Sequence, residues 1–405
     1  MKDKKDFKTV SPIYFDYAAS TPIDPLVLKS MLPILEKDFA NTMSIHSLGQ
    51  ASKDILEKTR DSFAKMLKVN SGELVFTGSA TESNNLITKG IAYGNLNHGN
   101  HIIVSSIEHP CVLNSAKWLE KRGYRVSYLS VDKNGIVNLE ELKSLIKDDT
   151  VLISVMHVNN ETGVIEPVEK IGKLVLDVRT DRANRHIDCP IYFHTDASQS
   201  FGKIDVNISK INCDLLTLSS HKIYGPKGAS LAFIKKGVKI APLMHGGGQE
   251  FGFRSGTVNT PAIVGFYKAA EIALKRQKQD YQKAMKLKTK IVKTLTSKLS
   301  HCYLNGSLDT QVPNIISIRF DYIEGESLVY LLDTNNICAS SASACASLSL
   351  APSHVLISMG LQPEQAHGTV RLSIGRFTTN EEVNHLLKVL PEIVSKLRNI
   401  SPFKS

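Results

Sequence analysis

Short apolar runs and amphipathic stretches alternate through the first two thirds of the chain. Apolar residues bounded by turn formers predict strands at Glu73 to Thr77, His101 to Ser105, Tyr124 to Val131 and Val151 to Val158. Three more follow at Ile191 to Thr195, Leu215 to Ser219 and Ser230 to Ile234. Between them, apolar positions recur every three or four residues in Glu82 to Tyr93, Cys111 to Lys121 and Glu140 to Lys147, the helical period. Strands that alternate with helices in this way predict an α/β fold with a mainly parallel sheet covered on both faces.

From Thr260 to Leu299 the pattern is continuously helical and increasingly basic, and it has no Gly or Pro after Gly265. It is long enough to join two domains. Beyond it, strand candidates at Ile315 to Phe320 and Thr369 to Ser373, with two or three helices, predict a smaller α+β domain. The expected division is a large domain over residues 15–260 and a small one built from 1–14 and 261–405. Asp177 to Pro190 is so polar that it reads as a surface loop.

Composition narrows the class. At 42% hydrophobic and 22% charged over 405 residues, the chain is neither disordered nor fibrous. The longest nearly unbroken apolar run, Val151 to Val158, falls far short of the roughly 20 residues of a membrane helix. The N-terminus, Met1-Lys-Asp-Lys-Lys-Asp-Phe-Lys8, is charged and lacks the apolar stretch of a secretion signal. Six scattered cysteines form neither a Cys-x-x-Cys pair nor a zinc-ligand spacing, so the expected location is a reducing cytoplasm and no metal is expected. The net charge of +10 is spread over helical faces; without a basic block or a nucleic-acid motif it predicts solubility and no direct nucleic-acid or membrane partner.

Three segments at predicted strand ends carry candidate chemistry. Thr77-Gly-Ser-Ala-Thr-Glu-Ser83 leads into a helix, where small residues and free amides suit a phosphate. It lacks the P-loop pattern, and simple helix capping by Ser79 or Thr81 accounts for it equally well. Asp196, in Phe193-His-Thr-Asp-Ala-Ser-Gln199, sits where α/β folds bind ligands, although its position also suits a cap. Lys222, in Ser219-Ser-His-Lys-Ile-Tyr-Gly225, is either solvated or a desolvated amine, which is a nucleophile toward carbonyls. Together the three supply what pyridoxal 5'-phosphate needs: a phosphate anchor, a carboxylate for the ring nitrogen and a lysine for the aldehyde.

The segments Tyr14-Phe-Asp-Tyr-Ala-Ala19, Ala80-Thr-Glu-Ser83, Glu108-His109, His157-Val-Asn-Asn-Glu161, Asp196-Ala-Ser-Gln199, Ser219-Ser-His-Lys222 and Arg254-Ser-Gly-Thr257 occur in family order. With Ser343-Ala-Cys345 and Arg371-Leu-Ser-Ile-Gly-Arg376, the chain from Tyr14 to Pro402 resembles the cysteine desulfurases, closest to the housekeeping iron–sulfur-cluster type. The resemblance implies an aspartate-aminotransferase-like fold (fold type I) whose large domain holds a seven-stranded sheet.

Matched motif by motif, it also implies site roles. Lys222 would hold the cofactor covalently, Asp196 would meet its ring nitrogen and His109 would stack on the ring. Gln199 and Asn160 would reach the phenolic oxygen. Ala80, Thr81, Ser219 and His221 would hold the phosphate, joined by Thr257 of the opposite subunit, which implies a homodimer. Arg371, with Asn160, would bind the carboxylate of L-cysteine, and Cys345 would take the sulfur as a persulfide. The implied sulfur acceptor is an iron–sulfur scaffold or a tRNA-thiolation relay. Competing readings are another fold-type-I enzyme, such as a selenocysteine lyase or an aminotransferase, and a non-catalytic sulfur-relay scaffold.

Overall fold

The computed structural model describes residues 12–341 and 351–402. In chain order the strands are β1 (Ile13–Tyr14), β2 (Leu74–Thr77), β3 (His101–Ser105), β4 (Arg125–Leu129) and β5 (Thr150–Ser154). They continue with β6 (Tyr192–Asp196), β7 (Leu215–Ser219), β8 (Ser230–Ile234), β9 (Cys302–Leu304) and β10 (Ile315–Phe320), then β11 (Ile337–Cys338), β12 (Ser340–Ser341) and β13 (Thr369–Ser373).

Seven of these form one sheet in the order β2-β8-β7-β6-β5-β3-β4, parallel except for β8, which runs against both neighbours. Strands β2, β3, β5, β7 and β8 are buried along their whole length, as continuous apolar runs in a doubly covered sheet should be. One apolar cluster, with Phe63, Ile153 and Phe193, and a second, with Ile87, Ile102 and Val104, are built from alternate side chains of the same strands. All the parallel strands therefore end at one edge, where α/β sheets place their ligands.

The helix Thr260–Lys298 forms as its periodicity predicts, with Asn259 capping the Ala262 amide at 3.2 Å and Pro261 in the first turn. Its first half gives Ile263, Phe266, Ala269 and Ala273 to the core of the large sheet. Its second half gives Leu287, Ile291 and Leu295 to a separate cluster with the sheet β12-β13-β10-β9 and the helix Asn380–Ile400. Phe15 also belongs to that second cluster, because β1 pairs in parallel with β11.

Two local expectations are corrected. Asp177 to Pro190 is a loop only in its second half: a helix spans Val168–Asn184, and residues 185–190 form the irregular link to β6. Val168, Ile171 and Val175 face the core at helical spacing, and the buried Arg182 continues that face. Its guanidinium donates to the carbonyls of Cys189 at 2.7 Å, Lys147 at 2.6 Å and Thr150 at 3.0 Å. The other polar residues from Asp177 to Asn184 are the solvent side of an amphipathic helix. Strand β5 also stops at Ser154 rather than Val158, and the buried chain beyond it bends toward the site. There Asn159 Oδ1 accepts from the amides of Glu161 and Thr162, each at 2.9 Å, closing a turn.

Candidate active site

A cavity of about 550 Å³ opens at the shared edge of the parallel strands. Ala80, Thr81, His109, Asn160, Asp196, Gln199, Ser219, His221, Lys222 and Arg371 all border it. Thr257 does not border it and is exposed to solvent. Cys345 lies outside the described residues; Ser340, five positions earlier, borders the cavity.

Each side chain is held by its own stretch of backbone. Ser79 caps the helix Ala80–Gly94, accepting from the Glu82 amide at 3.1 Å, so Ala80 and Thr81 stand in the first turn, where amides lack intrahelical partners. Asp196 closes β6: Oδ1 accepts from the Ser198 amide at 2.9 Å, the cap expected from its position, and Oδ2 accepts from Asn84 Nδ2 at 2.7 Å. Lys222 follows β7 in a turn so tight that a Cβ on Gly225 would come within 2.1 Å of Ser220 Oγ. Its Nζ donates to the carbonyls of Ala18 and Ala19, both at 2.7 Å.

His109 caps the helix Pro110–Glu120, with Nδ1 accepting from the Cys111 amide at 3.2 Å. Burial holds the imidazole below its ordinary pKa although Asp196 pulls it upward. Beneath it Glu108 is fully buried, its Oε1 accepting from the Met156 amide at 2.5 Å and its Oε2 without a partner. Burial and the Asp196 charge raise its pKa well above the usual carboxyl range.

Arg371 projects from β13 of the smaller sheet. One Nη donates to Asn160 O and the other to Asp16 Oδ1, each at 2.9 Å, while Nε is buried without a partner. Asp16 Oδ1 also accepts from Ser340 Oγ at 2.8 Å. The nearby Glu161 carboxyl accepts from Ser353 Oγ, and burial pushes its pKa up to about 7 against the pull of that bond and of Arg371.

Sequence reasoning gave no role to Asp16, Asn84, Cys111 or the carbonyls of Ala18 and Ala19. Asn84 is three residues after Thr81 on the same helix, a spacing that could have revealed it. Cys111 borders the cavity, but burial and Asp196 push its pKa up to about 12, so it is a thiol and no nucleophile at neutral pH.

The donors suit pyridoxal 5'-phosphate. Ser198 Oγ and Ser219 Oγ are buried in the cavity wall without partners, next to a fixed carboxylate and a lysine. A parallel sheet that presents these groups at its strand ends defines the molecule as a pyridoxal-phosphate enzyme of fold type I. Residues 13–386 match the model for class-V aminotransferases, and the chain belongs to that family.

Within the family it is a cysteine desulfurase. It is 44% identical over 389 residues to cysteine desulfurase IscS 1 of Archaeoglobus fulgidus, covering 96% of this chain and 98% of the relative. It is 45% identical to cysteine desulfurase IscS of Methanosarcina thermophila, covering 96% and 94%. A solved NifS-like protein superimposes with a TM-score of 0.87 at 38% identity, covering 95% of this chain and all of that one.

Proposed function

We propose that the chain, as a homodimer in the cytoplasm, converts L-cysteine to L-alanine and passes the sulfur through a Cys345 persulfide to an acceptor. That acceptor is an iron–sulfur scaffold or a tRNA-thiolation relay. The observation that carries this reading is the convergence of Lys222, Asp196, His109 and Arg371 on one cavity.

The bound cofactor supplies an electron sink for the bonds of the amino acid attached to it. Asp196 would keep a proton on its ring nitrogen, and Ser219, His221 and Thr81 would hold its phosphate, with Ala80 beside them and Thr257 contributed by the second subunit. Gln199 and Asn160 would bind the phenolic oxygen, and His109 would stack on the ring. Arg371 takes the substrate carboxylate with its planar guanidinium, exchanging part of its contact with Asp16. The Cys345 thiolate attacks the substrate sulfur. A new S–S bond forms as the C–S bond breaks, and its electron pair remains with the substrate carbon. Lys222 Nζ would return a proton there, which leaves alanine.

The dimer is supported by an apolar face without a cover. Leu28, Leu32 and Leu35 of the helix Pro25–Glu36 and the following Phe39, Met43 and Ile45 are all exposed. A run of this kind is characteristic of an interface.

The test is visible absorption of the purified protein, with alanine and sulfide assays after adding L-cysteine. A yellow band absent from Lys222→Ala, and equal amounts of alanine and reducible sulfur lost in Cys345→Ala, are expected. Colourless protein after incubation with pyridoxal phosphate, or full turnover in Cys345→Ala, would refute the reading.

A further inference from the structure

The chain after Asp196 coils through two successive turns. Ala197 O accepts from Ser200 N and Phe201 N, and Ser200 O accepts from Lys203 N and Ile204 N. Gln199 and Lys203 lie four residues apart across these turns, close enough for their side chains to meet. Gly202 has φ +74°, and a Cβ there would stand 2.7 Å from Ala273 Cβ, so the turn is pressed against the long helix. On this support Lys203 Nζ donates to Gln199 Oε1 at 2.8 Å.

We infer that Lys203 is a positioning residue: its bond to Gln199 Oε1 fixes the amide so that Nε2 presents a free N–H to the cofactor's phenolic oxygen. The inference rests on the proposed placement of Gln199 against that oxygen. The amine of Lys203 meets Gln199 as a donor, so it is the oxygen end of the amide that faces it. The nitrogen end then turns to Ala18 O, to which Nε2 donates at 2.9 Å, and one N–H is left toward the cavity. Ala18 O is shared with Lys222 Nζ, so one network joins Lys203, Gln199 and Lys222.

The groups around Lys203 leave Gln199 as its partner. On the cofactor side stand the cations Lys222 and Arg371, and His221, whose pKa is pushed down to about 4 by burial and nearby lysines. On the other side is a second cavity of about 60 Å³, bordered by Lys203 and Lys222 together. Its one carboxylate, Asp280, is bonded to Arg276 at 3.2 Å and Arg376 at 2.9 Å; Tyr17, Tyr224 and Tyr281 complete the titratable groups. No carboxylate among the described residues pairs with Lys203, and burial with the neighbouring cations pushes its pKa down to about 7.

The experiment is a double-mutant cycle of Lys203→Met and Gln199→Ala on the cofactor-loaded protein. It reads the pH midpoint of the visible band, and the dissociation constant of pyridoxal phosphate from the apoprotein. A donor at the phenolic oxygen favours its anion, so Lys203→Met should raise the midpoint and weaken binding roughly three- to tenfold, the value of one hydrogen bond. Both effects should largely vanish in the Gln199→Ala background, and Lys203→Arg should restore them toward the parent. If Lys203→Met does not fold, Lys203→Ala carries the same cycle.

An unmoved midpoint, or the same shift with and without Gln199, would overturn the inference while leaving the cofactor reading standing. A parent protein that takes up no pyridoxal phosphate would overturn both.

Discussion

Replacing Glu250 by alanine removes one half of a buried ion pair that holds β2 at the edge of the sheet. Arg60 donates from both Nη atoms to Glu250, each at 2.7 Å, and both side chains are at most 2% exposed. Glu250 Oε2 also accepts from the Phe76 amide of β2 at 2.7 Å, and Arg60 Nη1 donates to Leu74 O at 2.7 Å. The guanidinium lies between the rings of Phe76 and Phe251, 4.7 and 4.9 Å from their centroids. Breaking such a pair from one side typically costs about 3–5 kcal/mol, because the remaining charge stays buried. The unpaired Phe76 N–H adds about 1–3 kcal/mol. Glu57, bonded to Arg60 Nε at 3.0 Å but 44% exposed, recovers part of this. The expected loss is therefore about 3–5 kcal/mol in urea unfolding of the holoenzyme. The double replacement Arg60→Met with Glu250→Leu should lose much less than either single change, since no charge is left stranded. A loss below about 1 kcal/mol in Glu250→Ala, or simple additivity in the double variant, would refute the argument.

Arg371→Lys keeps the charge but cannot hold Asn160 O, Asp16 and a carboxylate at once. We expect KM for L-cysteine to rise about tenfold or more in steady-state assays while the visible band stays unchanged. Glu161 has a folded pKa raised by burial to about 7, so its contribution to stability is whole below about 4.5 and is lost as pH rises through 7. Glu161→Gln cannot ionise, so its thermal midpoint should gain on the parent between pH 5 and pH 8; a difference independent of pH would contradict the assignment. Leu32→Glu with Leu35→Glu charges the exposed apolar face and should give a monomer in sedimentation, with cofactor held more weakly if Thr257 serves the second subunit.

Periodicity was most informative where one face of an element met one core. The helix Thr260–Lys298 and the strands Ile315–Phe320 and Thr369–Ser373 lie within a residue of where their patterns end. The second half of the helix Val168–Asn184 reads as loop because its inward face ends in arginine: Arg182 satisfies three carbonyls in a buried position, and composition alone reads that residue as solvent-facing. Asp196 and Lys222 were legible because strand ends are predictable and their chemistry is carried by side chains. The carbonyls of Ala18 and Ala19 were not, since backbone atoms leave no mark on residue type. Arg60 and Glu250 are separated by 190 positions and meet on β2, where Arg60 donates to Leu74 O and Glu250 accepts from the Phe76 amide.

The site depends on that kind of long-range closure. The strand ends of the large sheet supply Asp196, Ser219 and Lys222, while Arg371 comes from the other sheet, and the segment Ile13 to Thr21 ties them together. Its β1 pairs with β11, the Ala18 amide donates to Ser373 Oγ at 2.9 Å, and the Thr21 amide donates to His221 O at 3.0 Å. The same segment gives Asp16 to Arg371 and two carbonyls to Lys222. Both cations are thus met by groups from one stretch of chain, which makes that stretch an electrostatic placeholder. Any ligand that engages Arg371 or Lys222 has to exchange with contacts already made, so binding energy is spent in replacing Asp16 and the Ala18 carbonyl.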